Sequence, residues 1–298
     1  QYYIHSFSDA ITPPKYQLRK TSNAKVIRTV LENTSLKQQI TALGLPKKEF
    51  NTLMVNGNEL NMWMLKPKDF DPNKQYPLLM FQYSGPGSQQ VANRWTSQRD
   101  LWHYLLTQKG VIVACVDGRG TGFRGSDFKK QTYLNLVKYE TEDQIAAARQ
   151  LGTRPYIDAS RVGIWGWSYG GHMALQSILT GNGIFSTAIS VAPVTTWRFY
   201  DTIYTERFMR TPQENPEGYD LNSPLNYADQ LEGKLLLVHG SGDDNVHVQN
   251  SMRMIQALIE ANKDFEWAIY PDQNHGIGSG NALIHLFEKM TIFIESNL

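Results

Sequence analysis

An apolar run, Arg161-Val162-Gly163-Ile164-Trp165, leads directly into Gly166-Trp167-Ser168-Tyr169-Gly170-Gly171, and a helix-like stretch from Met173 to Leu179 follows. Few segments constrain a chain so tightly. A strand ending in Gly-x-Ser-x-Gly and turning at once into a helix is a nucleophile elbow. The turn is so sharp that Cβ atoms two residues either side of the serine would meet neighbouring backbone, and Gly166 and Gly170 remove them. Ser168 is then pushed out above the end of a sheet, at the positive end of the next helix.

The surrounding pattern agrees with such a sheet. Pro77–Tyr83, Val111–Val116, Val162–Trp165, Thr187–Val191, Lys234–Val238 and Phe265–Tyr270 are short apolar strands. Helical patterns at Asn93–Thr107, Glu142–Leu151, Met173–Leu179, Ser251–Ala261 and Ala282–Ser296 alternate with them, and Leu60–Leu65 adds a strand. Apolar strands separated by helices predict an α/β fold, a mostly parallel twisted sheet covered by helices on both faces. The first residues differ. Tyr2–Leu31 is expected to form two or three strands and Ser35–Leu43 a short helix, so residues 1–48 are assigned to the end of an upstream unit with a linker and 49–298 to one domain.

Composition excludes several classes. The chain has 298 residues, is 41% hydrophobic and 11% aromatic, and carries 29 basic against 28 acidic residues, a net charge of +1. That length supports a substantial core, and the near-neutral charge does not steer the chain to nucleic acid. No run of 18 apolar residues occurs, so no helical membrane span is expected. The single cysteine, Cys115, lies in an apolar strand and is expected to be a core thiol. The chain starts at Gln1 with neither a basic nor an apolar leader, so it is expected to be a piece of a longer protein whose targeting signal lies elsewhere.

A serine hydroxyl needs a base, and the base needs a carboxylate to orient it. In a sheet of this type the acid and then the histidine follow later strands. The strand ending at Val238 runs into His239-Gly240-Ser241-Gly242-Asp243-Asp244-Asn245, so Asp243 is the candidate acid and Asp244 its competitor. The strand ending at Tyr270 runs into Pro271-Asp272-Gln273-Asn274-His275-Gly276, which makes His275 the candidate base. The other histidines sit at worse positions: His172 is within the helix after the elbow, His239 ends a strand, and His247 begins a helix.

With these motifs in order, the stretch from about residue 50 onward resembles the catalytic domain of the prolyl oligopeptidase family of serine peptidases, in its dipeptidyl peptidase IV branch. The resemblance is carried by Tyr83-Ser84-Gly85-Pro86, Asp117-Gly118-Arg119-Gly120-Thr121-Gly122, Gly166–Gly171, Tyr200-Asp201-Thr202-Ile203-Tyr204-Thr205-Glu206-Arg207, His239–His247 and Asn274-His275-Gly276. It implies an α/β-hydrolase fold preceded by a β-propeller, of which the first fifty residues resemble the end. It implies Asp243 as the acid of a Ser168–Asp243–His275 triad, and Tyr83 with the Tyr169 peptide N–H as the oxyanion hole. Val194, Trp197, Tyr200, Tyr204 and Val246, with Tyr169, match the apolar pocket for a penultimate proline or alanine, and Asn245 matches a residue that bonds the substrate carbonyl. Arg119 is expected to be a structural ion-pair arginine.

The activity so implied is release of N-terminal dipeptides from peptides with Pro or Ala at the second position, without metal or organic cofactor. The family's pair of glutamates that grip the substrate's amino terminus belongs to the propeller and has no counterpart here. A tripeptidyl peptidase, an acylaminoacyl peptidase or esterase, and a non-catalytic interaction protein are the alternatives. The resemblance also implies a homodimer paired through Ser251–Ala261 and Ala282–Leu298, and an extracytoplasmic location for the full-length protein. The apolar stripe Leu283, Leu286, Phe287, Met290 and Phe293 is expected mostly to pack on the sheet.

Overall fold

The computed structural model describes residues 1–95 and 100–298. Strands β1 (Tyr2–Phe7), β2 (Lys15–Lys20) and β3 (Val26–Leu31) form an antiparallel sheet of their own. Helix α1 (Thr34–Leu43) follows and stops at Gly44, whose φ of +60° ends the helix in the left-handed region.

The main sheet starts with a hairpin. Strands β4 (Glu49–Val55) and β5 (Asn58–Leu65) are joined by Asn56-Gly57, both at positive φ, the two-residue turn that matches the twist of paired strands. Then come β6 (Tyr76–Phe81), α2 (Leu101–Gln108), β7 (Ile112–Asp117), the short α3 (Ser126–Lys130) and α4 (Lys138–Gly152). They are followed by β8 (Ile157–Trp167), α5 (Tyr169–Thr180), β9 (Thr187–Val191), α6 (Thr202–Met209) and α7 (Pro216–Leu221). The chain ends with β10 (Lys234–Gly240), α8 (Gln249–Glu260), β11 (Glu266–Tyr270) and α9 (Ala282–Asn297).

Among the described residues, eight strands pair in the order β11-β10-β9-β8-β6-β7-β5-β4. Every pair from β7 to β11 is parallel, and β5 alone runs against its neighbours. The period-two alternation of the strands divides the core. Leu78, Met80, Ile112, Ala114 and Ile164 face one side, under α4, α5 and α8, while Leu79, Val113, Cys115 and Trp165 face the other, under α2 and α9. Both faces are dry, which accounts for the fully buried β7 and β9. This is the α/β-hydrolase arrangement.

Several elements differ from the sequence expectation at their ends. The helix expected from Asn93 starts at Leu101; residues 91–95 are irregular and residues 96–99 lie outside those described. Helix α5 starts at Tyr169, directly after the serine, and β8 extends to Trp167. On α9, Leu286, Met290 and Phe293 are buried and Leu283 and Phe287 pack against the same core, whereas Ile284 and Ile292 are 62% and 64% exposed. No helix among the described residues is long and apolar enough to cross a membrane.

Candidate active site

The candidate catalytic side chains lie just past the C-terminal ends of parallel strands, where an open α/β sheet leaves a crevice, while Tyr169 opens α5 and Tyr204 lies on α6. Tyr83 follows β6, Ser168 follows β8, Val194 follows β9, Asp243 follows β10 and His275 follows β11.

Ser168 is held at φ 62° and ψ −120°, a conformation that costs a non-glycine residue energy and persists only where its surroundings enforce it. The enforcement is visible. The Ser168 N–H donates to the Val191 carbonyl at 2.8 Å. A Cβ on Gly166 would stand 2.3 Å from the Gly170 carbonyl oxygen, and one on Gly170 would stand 2.6 Å from that of Gln82. The Gln82 amide closes the turn by donating to the Gly170 carbonyl at 2.8 Å.

The His275 imidazole donates from Nδ1 to Asp243 Oδ2 at 2.7 Å, which leaves Nε2 for a substrate or nucleophile proton. Asp243 Oδ1 accepts the backbone N–H groups of Asn245 and Val246, each at 2.9 Å. A second histidine, buried His239, places its Nε2 3.2 Å from Asp243 Oδ2 while also donating to the Val246 carbonyl at 2.8 Å. Burial by itself would raise the Asp243 carboxyl; the contacts with His239, His275 and the Val246 N–H overcome it and hold the group well below the usual carboxylate range. Asp243 is therefore a fixed anion facing the imidazole, and among the described residues Asp244 makes no such contact.

Tyr83 stands in the same cavity as Ser168, and burial, opposed by Ser168, raises the phenol's pKa, so it stays protonated as a donor. Tyr83, Ser168, Tyr200, Asn245 and His275 line one cavity of about 750 Å³. Beside it, Tyr169, Val194, Trp197 and Val246 are buried together, with Tyr83, Tyr200 and Tyr204 packed against them. Trp197 and Tyr204 are stacked, their ring centroids 6.1 Å apart, and Tyr200 meets Tyr204 edge-on at 5.5 Å. Flat aromatic walls of this kind suit a small apolar ring that offers no N–H. Asn245 accepts the Tyr200 hydroxyl at its Oδ1, 2.9 Å away, which turns its amide N–H₂ outward as a donor.

Residues singled out for structural roles lie as follows. Arg119 bonds Asp143 at 2.8 Å and Glu142 at 3.1 Å. His172 is fully buried, donates to the Asn222 carbonyl at 2.9 Å and is pushed down to about 4 by burial, so it is neutral. Cys115 is buried. Sequence reasoning overlooked other cavity-lining residues, among them Gln90, Arg94, Trp95, Asp100, Trp165 and Trp167, and the carboxyl of Glu140 that accepts the Tyr169 hydroxyl. The Trp167 indole donates to the His275 carbonyl at 2.9 Å, tying the elbow to the histidine loop. Its place beside the serine was the available signal; Glu140 gave none, being one acidic residue in a helix full of them.

Fold and site together define an α/β-hydrolase-fold protein built around a serine elbow. Residues 97–298 match the model of the prolyl oligopeptidase family, and the chain belongs to that family. It is 37% identical over 289 residues to dipeptidyl peptidase 4 of Felis catus, covering 95% of this chain and 37% of that protein. It is 41% identical over 278 residues to prolyl endopeptidase FAP of Mus musculus, covering 90% of this chain and 36% of that protein. The crystal structure of Porphyromonas gingivalis dipeptidyl peptidase 4 superposes with a TM-score of 0.97 at 50% identity, over 100% of this chain and 42% of that one. The chain spans about a third of the length of the curated relatives it matches.

Proposed function

We propose that this domain is the catalytic part of a serine-type dipeptidyl peptidase acting on peptides with proline or alanine at the second position. The observation that carries the reading is the 2.7 Å bond from His275 to the Asp243 anion, in a cavity shared with the strained Ser168.

In this reading His275 Nε2 takes the Ser168 proton as Oγ attacks the carbonyl of the second substrate residue. The Tyr83 hydroxyl and the Tyr169 N–H bond the oxyanion of the tetrahedral intermediate. Collapse breaks the C–N bond, and the imidazolium returns its proton to the departing amine. Water, deprotonated by His275, then hydrolyses the acyl-enzyme. Val194, Trp197, Tyr200, Tyr204 and Val246 hold the proline or alanine side, and the Asn245 amide bonds a substrate carbonyl. The names of the feline and bacterial relatives support dipeptide release. The murine relative's name favours a second substrate, a prolyl bond within a longer peptide.

A fluorophosphonate probe should label the protein once, and Ser168→Ala should abolish both labelling and peptidase activity; labelling that survives the substitution refutes the assignment. A panel of Gly-Pro, tripeptidyl, acyl-Ala, internal-prolyl and short ester substrates separates the specificities. The exposed Ile259 on α8, with Ile284 and Ile292 on α9, supports pairing of two copies through these helices, which sedimentation velocity would detect as a dimer. An extracytoplasmic location belongs to the same reading and is tested by fractionating the source cells.

A further inference from the structure

Glu140 on α4 is completely buried. Its Oε1 accepts the Tyr169 hydroxyl at 2.7 Å. Its Oε2 has no hydrogen-bond partner among the described residues. A buried carboxyl is costly unless its surroundings repay it, so an unmatched oxygen in the floor of an apolar pocket calls for a reason.

The Tyr169 phenol is gripped from two sides. Besides donating to Glu140, it accepts the Val137 N–H at 3.1 Å. Val137 stands at φ +80°, a rare conformation for a β-branched residue, and Leu134 just before it stands at +67°. Backbone strain is thus spent on aiming one N–H at this hydroxyl. The ring packs where a side chain at Gly85 would reach, since a Cβ there would stand 3.3 Å from the Tyr169 ring. The peptide N–H of this same residue follows the nucleophile, and its ring lies 5.4 Å from that of Trp197 in the apolar pocket.

We infer that Glu140 is a positioning residue for the reaction: from beneath the pocket it fixes the Tyr169 phenol, and through that residue both the oxyanion N–H and one wall of the specificity pocket. The inference rests on the proposed role of Tyr169 in the oxyanion hole. The groups facing Glu140 are Tyr169 from α5, Tyr204 from α6, and Asp143 on its own helix, itself paired with Arg119. Burial, and more weakly the charge of Asp143, push Glu140 up to about 8, against the opposing pull of the Tyr169 hydroxyl and the nearby backbone of Val137 and Glu140. At neutral pH it is therefore the uncharged acid, which suits a group placed under a developing oxyanion. Once ionised, its negative charge opposes that oxyanion.

The test uses Glu140→Gln, Glu140→Leu, Tyr169→Phe and the Glu140→Leu/Tyr169→Phe double variant, with melting temperature measured alongside kcat and KM. Glu140→Gln keeps an acceptor without a charge. Its kcat and KM should stay within about twofold of the unmodified protein at pH 7, and the ratio of unmodified to variant kcat should fall as pH rises through about 8. Both proteins see the same substrate, so substrate ionisation cancels in that ratio. Glu140→Leu should lower kcat by roughly tenfold with a smaller change in KM, and should lower it no further when Tyr169 is already Phe.

A ratio that stays flat from pH 6 to 10, or a Glu140→Leu effect of equal size in the Tyr169→Phe background, overturns the inference. If Glu140→Leu does not fold, the Glu140→Gln ratio decides alone. Activity that survives Ser168→Ala would instead sink the reading of the site itself, whatever the Glu140 variants do.

Discussion

At the scale of single residues, the site separates groups that carry charge from groups that must not. Asp243 is held anionic by His275, His239 and the peptide N–H groups of Asn245 and Val246, whereas Tyr83 and Glu140 are held neutral by burial. This has consequences for stability as well as catalysis. The Asp243 carboxyl lies lower folded than unfolded, so its contribution is fully present above the ordinary carboxylate range and is lost as pH falls below about 4. Asp243→Asn should therefore flatten the acid limb of the stability curve, measured as melting temperature between pH 5 and 2, while abolishing turnover. Glu140 has the opposite sign. Its folded pKa is raised, so stability is greatest below the ordinary carboxylate value and declines as pH climbs toward about 8, a decline Glu140→Gln should remove. Tyr83→Phe takes away a donor and no bulk. It should cost kcat on the order of 10²–10³ with an unchanged melting temperature, and a loss smaller than tenfold would remove Tyr83 from the oxyanion hole.

At the scale of elements, two glycines show what the sequence disclosed and what it withheld. Gly166 was legible because the elbow motif states its own geometry; an added Cβ there meets backbone at 2.3 Å. Gly57 lies in an open Asn-Gly turn where an added Cβ meets nothing within 4 Å, so only its φ of +76° resists substitution. Gly57→Ala should cost about 1 kcal/mol and leave activity intact, whereas Gly166→Ala should cost more than that and destroy activity, both read from thermal melts and ester hydrolysis. Strand β5 was legible at Leu60–Leu65, but its hairpin partner β4 escaped the sequence reading because β4 is exposed along most of its length and lacks the apolar signal that betrayed the buried parallel strands. The proposed triad residues stood out for the converse reason, since each follows a strong apolar strand. Between Asp243 and Asp244 strand position could not choose, and the resemblance named Asp243 before the geometry did. The choice is made by Nδ1 of His275 and two peptide N–H groups, all non-local in their effect. Glu140 and His239 stayed hidden because their roles depend on what packs above them, and neither lies in a loop.

At the scale of the molecule, the proposed reaction centre shares the chain with a small, largely exposed sheet. The β1–β3 sheet leaves Tyr2, Ile4 and Phe7 at least half exposed, and a three-stranded sheet that buries neither face is marginal in water. The cavity and the aromatic pocket account for the acyl side of a substrate and for the bond to be cut. Among the described residues that line the cavity, Asp100 is the carboxylate present, and no residue of the proposed site is assigned to a peptide's free ammonium, the feature that would count residues from the amino terminus. The chemistry and the counting are thus separable, and they can be separated by experiment. A small activated ester needs only the nucleophile, the oxyanion donors and the pocket, whereas a Gly-Pro amide also depends on its ammonium being held while a poorer leaving group departs. Losing such a charge-assisted contact typically costs a factor on the order of 10²–10³. Residues 1–298 alone should therefore hydrolyse an activated ester in a Ser168-dependent way, yet fall short of the longer relatives on Gly-Pro amides by about that factor in kcat/KM. Amide turnover by the isolated chain equal to that of a full-length relative would mean that the counting groups lie within these 298 residues after all.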